Sequence, residues 1–445
     1  MAGFGAAVFF TACTTDSETP PPIVQEAGTY VLTDAVSIDI DGRSNETIRL
    51  GDYFSDTTLV FSGDGAIANE AEFGDVRVTL PVEINVTDCR DDTLNIEDIF
   101  GDNSFTWQQL ESLDEATRRI GGTFEVEMPV VVRVRGSERV ALNMEDIFGD
   151  NSFTWTVGSP AADSTVDADQ IARGVGGNLR IAMSITVEVL DSEDIGVDIE
   201  DIACDSQFEW NGGTASATTS LGGEMAFEIP LTFRVERSDR VRINLEDVAG
   251  ALTFDWTAGS GARIGGPLRF DVPTEFIVDD SRDVNIDFED QAGDNVFAWS
   301  VEGENAIAPQ LASGIRIETP ATFRVSESAR VKINSEDFFG DNRFVWRGPF
   351  DAGQRGELDG AVTVAAQTTF DVSGSNDVNI DAEDTYGDNT FAWSPAGLDD
   401  VNALPATVAE VTGEVSRETT GSDEVTIEFA NLNQGNQYLW GPAPE

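Results

Sequence analysis

Eight tryptophans stand at 107, 155, 210, 256, 299, 346, 393 and 440, with spacings of 48, 55, 46, 43, 47, 47 and 47 residues. Each closes a copy of one segment. "LNIEDIFGDNSFTW" ends at Trp107 and "LNMEDIFGDNSFTW" at Trp155. The segment returns as "VDIEDIACDSQFEW", "INLEDVAGALTFDW", "IDFEDQAGDNVFAW", "INSEDFFGDNRFVW" and "IDAEDTYGDNTFAW". A diverged copy, "IEFANLNQGNQYLW", ends the series, and "IRLGDYFSDTTLVF" begins it with Phe61 at the tryptophan position. Self-similarity at a fixed period identifies a repeat architecture. Such units are too small to bury their own apolar faces, so neighbours must cover them.

The upstream half of each unit is also constant. In "MAFEIPLTFRV", Met225, Phe227, Ile229, Leu231, Phe233 and Val235 share one parity, and the polar residues share the other. Alternation with period 2 predicts a long strand with one buried face. Pro81, Pro129, Pro230, Pro273 and Pro320 all fall on the polar parity near the middle of this strand. Proline cannot donate to a ladder, so a bulge or bend is expected there. A second strand, "RVRINLED", and a third, "LTFDWTA", complete the unit, followed by a Gly-rich loop. The one plausible helix is "WQQLESLDEATRRI", 107–120.

Three strands per unit would reverse the chain direction from unit to unit. Alternate units carry Arg around the first turn ("RVRGSERV", "RVERSDRV", "RVSESARV"), and those between carry acids ("VLDSEDI", "IVDDSRDV", "DVSGSNDV"). The expectation is therefore an all-β chain of tandem antiparallel β repeats of about 47 residues, paired into β-sandwich-like units of about 95 residues. Arg on one unit is expected to face carboxylates on the next. The divisions would be 1–22 (signal and tether), 23–107, 108–210, 211–299, 300–393 and a capping repeat, 394–445. An outer-membrane barrel and a β-propeller compete with this architecture.

Charge narrows the function. The formal net charge is −56, from 82 acidic and 26 basic residues, and there is no histidine. Such a surface repels nucleic acid and anionic lipid. The absence of imidazole excludes Ser-His-Asp and Cys-His catalysis and His-ligated metals. Nine copies of one acidic motif suit repeated structure better than one active site, so no enzyme is expected. The N-terminal apolar run followed by "FTAC" resembles a bacterial lipoprotein signal, with Cys13 as the lipidated residue. Export to the cell surface or periplasm is the corresponding expectation, with membrane contact only through that anchor. Cys89 and Cys204 could pair outside the cytoplasm.

The turn "EDxFGDN" gathers four oxygen-bearing side chains. The sets are Glu97, Asp98, Asp102, Asn103; Glu145, Asp146, Asp150, Asn151; Glu289, Asp290, Asp294, Asn295; Glu336, Asp337, Asp341, Asn342; and Glu383, Asp384, Asp388, Asn389. Hard oxygen ligands without His or Cys fit Ca²⁺. Asp, Asn and Gly are equally the ordinary formers of tight turns. Both readings stand at the level of sequence. The tryptophans, each sharing parity with a nearby aromatic, read as core; the other reading is a sugar-stacking platform.

"IRLGDYFSDTTLVFSGDG" resembles a stretch of bacterial cadherin-like and immunoglobulin-like surface repeats over about 15 residues per unit. The resemblance implies an extracellular, adhesive β-sandwich protein that often binds calcium. The expected function is an extracellular structural or adhesive repeat protein, rigidified by calcium, acting as spacer, adhesin or self-assembling subunit. The alternatives are a glycan- or protein-binding module that uses the loops between units, and the membrane barrel.

Overall fold

The computed structural model describes residues 23–25, 28–50, 56, 58–62, 73–97, 99–109, 119–157, 174–202, 205–212, 220–258, 263–289, 292–301, 310–311, 314–336, 339–348, 362–383, 388–395, 409–429 and 436–440. Every regular element among them is a strand. The segment expected as a helix begins in a strand (Ser104–Gln109) and ends in one (Arg119–Ile120); residues 110–118 lie outside the described set.

One turn of the chain makes one coil of a parallel β-solenoid. In the coil spanning 220–258, a short strand (Ser220–Leu221) leads to a bent face in two pieces (Met225–Glu228 and Leu231–Glu236). A middle face (Asp239–Leu245) and an aromatic face (Thr253–Ala258) follow. Each strand pairs in parallel with its counterpart one unit away: Phe227 with Phe270, Phe233 with Phe276, Ile243 with Ile286, Trp256 with Trp299. The resulting sheets contain 5, 16, 9 and 10 described strands for the short, bent, middle and aromatic faces. They run through the expected divisions at 107, 210 and 299 without a break.

This overturns the antiparallel, sandwich-paired reading. Period-2 alternation places side chains on two faces whatever the partner's direction, so it could not decide between parallel and antiparallel pairing. The short strand was also unforeseen, and with it the chain closes a full turn instead of reversing. Barrel and propeller sheets are antiparallel; these are not. The two-unit rhythm of Arg and acid has a different cause, taken up below.

The long strand is folded at its proline. Pro81, Pro129, Pro230, Pro273 and Pro320 sit between its two pieces, and each carbonyl accepts the N–H of the residue after the corner in the preceding coil, as in Leu231 to Pro273 at 2.8 Å. A corner residue with no N–H wastes no donor. Where the proline is absent, the strands 362–373 and 409–420 run unbroken for 12 residues each. Asp34–Ala35 and Met183–Ser184 make the corner without proline.

Identical side chains stack along the interior. The rings of Phe61, Trp107, Trp155, Trp210, Trp256 and Trp299 follow at 5.3, 4.5, 4.8, 4.8 and 5.0 Å, within 10° of parallel. A second column, Phe105 to Phe391, repeats at 4.6–5.1 Å. The 4.7–4.9 Å strand spacing sets these distances. The aromatics of these two columns are core, as expected. Gly121, at φ +87, lets the coil pass: a Cβ there would lie 2.3 Å from Trp155 Cδ1. The variation in repeat length falls between the aromatic and short faces, at 158–173, 212–219, 259–262 and 302–309. Insertions are accommodated at that one corner.

Candidate functional site

Two corners of the coil carry most of the polar chemistry. At the corner between the bent and middle faces, two positions hold positive φ in all nine coils. The second of them reads Asn45, Asp91, Arg139, Asp194, Arg240, Asp283, Arg330, Asp377, Glu424. Arginine thus alternates with carboxylate at one-coil steps. Arg139 donates to Asp91, Arg240 to Glu193, and Arg330 to Asp283. Arg237 grips Asp191 at 2.6 and 2.8 Å, and Arg282 grips Asp239 at 2.9 and 3.0 Å. These guanidinium partners hold Asp91, Asp191, Asp239 and Asp283 below the usual carboxylate range. Arg on one unit does face acid on the next. The rhythm exists because in-register stacking would otherwise set like charges one strand spacing apart; it owes nothing to reversal of the chain.

A serine sits inside the same corner. The N–H of Ser137 donates to Ser192 Oγ, that of Ser192 to Ser238 Oγ, and so on through Ser281, Ser328, Ser375 and Ser422, at 3.0–3.2 Å. Each hydroxyl donates in turn to the carbonyl two residues earlier, as Ser238 does to Glu236 at 2.8 Å. Sequence reading missed this ladder because Ser in a turn looks unremarkable. Its constancy from unit to unit was the available signal. Cys89 occupies the same rung: its N–H donates to Ser137 Oγ at 3.1 Å, its thiol is free and buried, and burial raises its pKa. Cys204, its suggested partner, and Cys13 lie outside the described residues.

The corner between the middle and aromatic faces carries the "EDxFGDN" turn. Its Glu column (Glu97, Glu145, Glu200, Glu246, Glu289, Glu336, Glu383) continues from coil to coil at the end of the middle face. Its second Asp column is Asp56, Asp102, Asp150, Asp205, Asp294, Asp341 and Asp388, exposed at 102, 150, 205, 294, 341 and 388 and broken by Ala251. The N–H of Asp150 donates to Asp102 Oδ1 at 2.9 Å. Burial, and then the neighbouring carboxylates, raise the pKa of Asp150, Glu200 and Asp341. Asp146, between the columns, has φ +47. Asp98, Asp290, Asp337 and Asp384 lie outside the described residues.

The asparagines of the expected quartets turn the other way. Asn103, Asn151, Asn295, Asn342 and Asn389 are buried. The N–H of Asn295 donates to Asn342 Oδ1, that of Asn342 to Asn389 Oδ1, and that of Asn389 to Asn436 Oδ1, at 3.0–3.1 Å. Asn103 Nδ2 donates to the carbonyls of Phe100 and Gly101, both at 2.8 Å. The sequence therefore places carboxylates outside and carboxamides inside from adjacent residues. Where the motif lapses at Ala251–Leu252, the Leu252 N–H still reaches Asn295 Oδ1 at 3.0 Å. Among the described residues, no three acidic or thiol groups gather around one point.

What remains at this corner is an outward spine of carboxylates whose Glu and Asp columns hold no arginine among the described residues. Chemically it can accept cations or solvating water along its length. No protein-family model, curated protein or solved structure matches this chain.

Proposed function

We infer that the protein is an exported structural repeat protein, a stiff surface spacer or adhesive element whose acidic spine is neutralised by cations, calcium first among them. The observation that carries this reading is the contrast between the two corners. At one, the repeat sets Arg between acids; at the other, Glu and Asp stack at the same spacing, and burial and like charge raise the pKa of Asp150, Glu200 and Asp341. Mobile cations are the natural substitute for the missing arginines. A stack of nine coils with continuous ladders suits a mechanical role, because each coil is held on both sides by its neighbours. The lipoprotein-like "FTAC" at Cys13 supports anchoring at a cell surface.

The test is thermal melting of the full chain in calcium, magnesium, high sodium and chelator. The proposal expects the midpoint to rise with calcium beyond an equal ionic strength of sodium, and the Asp150→Asn, Asp341→Asn double variant to lose much of that rise. Equal midpoints in calcium and chelator would end the calcium clause.

A further inference from the structure

A parallel solenoid ends in an open sheet edge, and an open edge invites another coil. Here the last described coil presents a 12-residue strand, 409–420, with no proline to blunt it. Val415 on that strand is 41% exposed. Two inward positions of that strand break the pattern of the interior: Thr419 follows a column of valines that ends at Val372, and the other is charged. Phe233, Phe276, Phe323 and Phe370 are register partners and stack at 5.0–5.2 Å. The next position in that column is Arg417. Its guanidinium donates to the carbonyl of Ile427, on the middle face of the same last coil, at 2.8 Å. In preceding coils the inward residue's carbonyl on that face accepts an N–H from the following coil, as Leu245 does from Glu289.

We propose that Arg417 closes the C-terminal end of the solenoid against a second copy of this chain. It does so in two ways. It occupies a main-chain acceptor that an incoming coil would need, and it sets a charge on top of the phenylalanine column. The first coil of another copy would be the natural occupant, since it already belongs to the same ladders. In register, it would lay Ile38 onto Arg417 and Asp39 beside Glu418. The first contact strands an aliphatic side chain on a guanidinium; the second sets like charges across adjacent strands. Both disfavour head-to-tail addition, the form of association that makes open filaments.

Sedimentation velocity of the full chain tests this. Wild type should sediment as the 47.9 kDa monomer. Arg417→Phe restores the residue of the four preceding coils, and Arg417→Val supplies the type found at Val132 and Val187. Each should associate reversibly, reaching roughly a doubled weight-average mass or more as concentration rises. Adding Ile38→Asp to Arg417→Phe should return the monomer. The proposal fails if wild type itself associates through its ends, or if both Arg417 variants stay monomeric with wild-type circular dichroism. It also fails if the association survives Ile38→Asp, which would mean a tail-to-tail contact.

Discussion

Arg282 reaches back one coil to hold Asp239 with two guanidinium nitrogens on two carboxylate oxygens, at 2.9 and 3.0 Å. The pair is solvent-facing, so its worth lies in register more than in depth of stabilisation. Replacing Arg282 with Ala should lower stability only slightly at low salt and progressively less as salt rises. Replacing Asp239 with Arg should cost more, since it then faces Arg240 and Arg282 together, and the exchange Asp239→Arg with Arg282→Asp should recover part of it. Chemical denaturation of the four variants at two salt concentrations checks the order.

The two corners respond to acid in opposite directions. Asp91, Asp191, Asp239 and Asp283 have folded pKa values below the unfolded ones, so their contribution is present above the ordinary carboxylate range and is lost as pH falls through the folded values. Asp150, Glu200 and Asp341 have raised values; their contribution is fully present below the ordinary range and is lost as pH rises through the folded values. Stability should therefore rise on going from neutral to mildly acidic pH and fall again in stronger acid. Melting midpoints across that range check this, and Asp341→Asn should flatten the neutral-side slope while tolerating the left-handed backbone (φ +53).

The tryptophan column separates packing from hydrogen bonding. Trp210 is buried between Trp155 and Trp256, and its Nε1 has no acceptor. Trp210→Ala should cost about 3–5 kcal/mol through the cavity it leaves. Trp210→Phe should cost distinctly less. It keeps a stacking ring, as Phe61 does on the same column, and it removes an unpaired donor. Urea midpoints of the two variants decide.

Asn342 links three coils. Its Oδ1 accepts from the Asn295 N–H, and its Nδ2 donates to the carbonyls of Ala292 and Gly340 and to Asn389 Oδ1. Asn342→Ala should cost about 1–3 kcal/mol, the usual penalty for stranding buried polar groups. Asn342→Asp, which keeps the acceptor and loses the donors, should be no better. Hydrogen exchange at residue 295 should quicken in Asn342→Ala, which removes the acceptor of its N–H.

The repeat length, the positions of the bent, middle and aromatic strands, their inward parity and the corner at each proline were legible in the sequence, because each is a local property of one unit; the two-residue short strand was not. Chain direction was not, since Phe233 and Val235 alternate with Thr232 and Arg234 in the same way beside a parallel or an antiparallel partner. The signal for parallel stacking lay in identity rather than pattern. The same Asn, Ser and Phe recur at the same place because each bonds or stacks with its own copy. Asn151 was grouped with Asp150 on chemical type, yet the backbone turns one inward and the other outward. That division is set by the φ values of the turn, which sequence reports only faintly.

Distances between coils test the central account most directly. Thr93, Ala141, Gly196, Arg242, Asn285, Lys332, Asn379 and Thr426 occupy one outward position of the middle face in successive coils. Spin labels at 93 and, in turn, 332, 379 and 426, in a chain whose three native cysteines are replaced, measure their separations by pulsed electron resonance. Parallel coils in register predict backbone separations of about 24, 29 and 34 Å, an even step of about 4.8 Å per coil. Separations that fail to grow evenly, or that alternate between long and short, would contradict the stack.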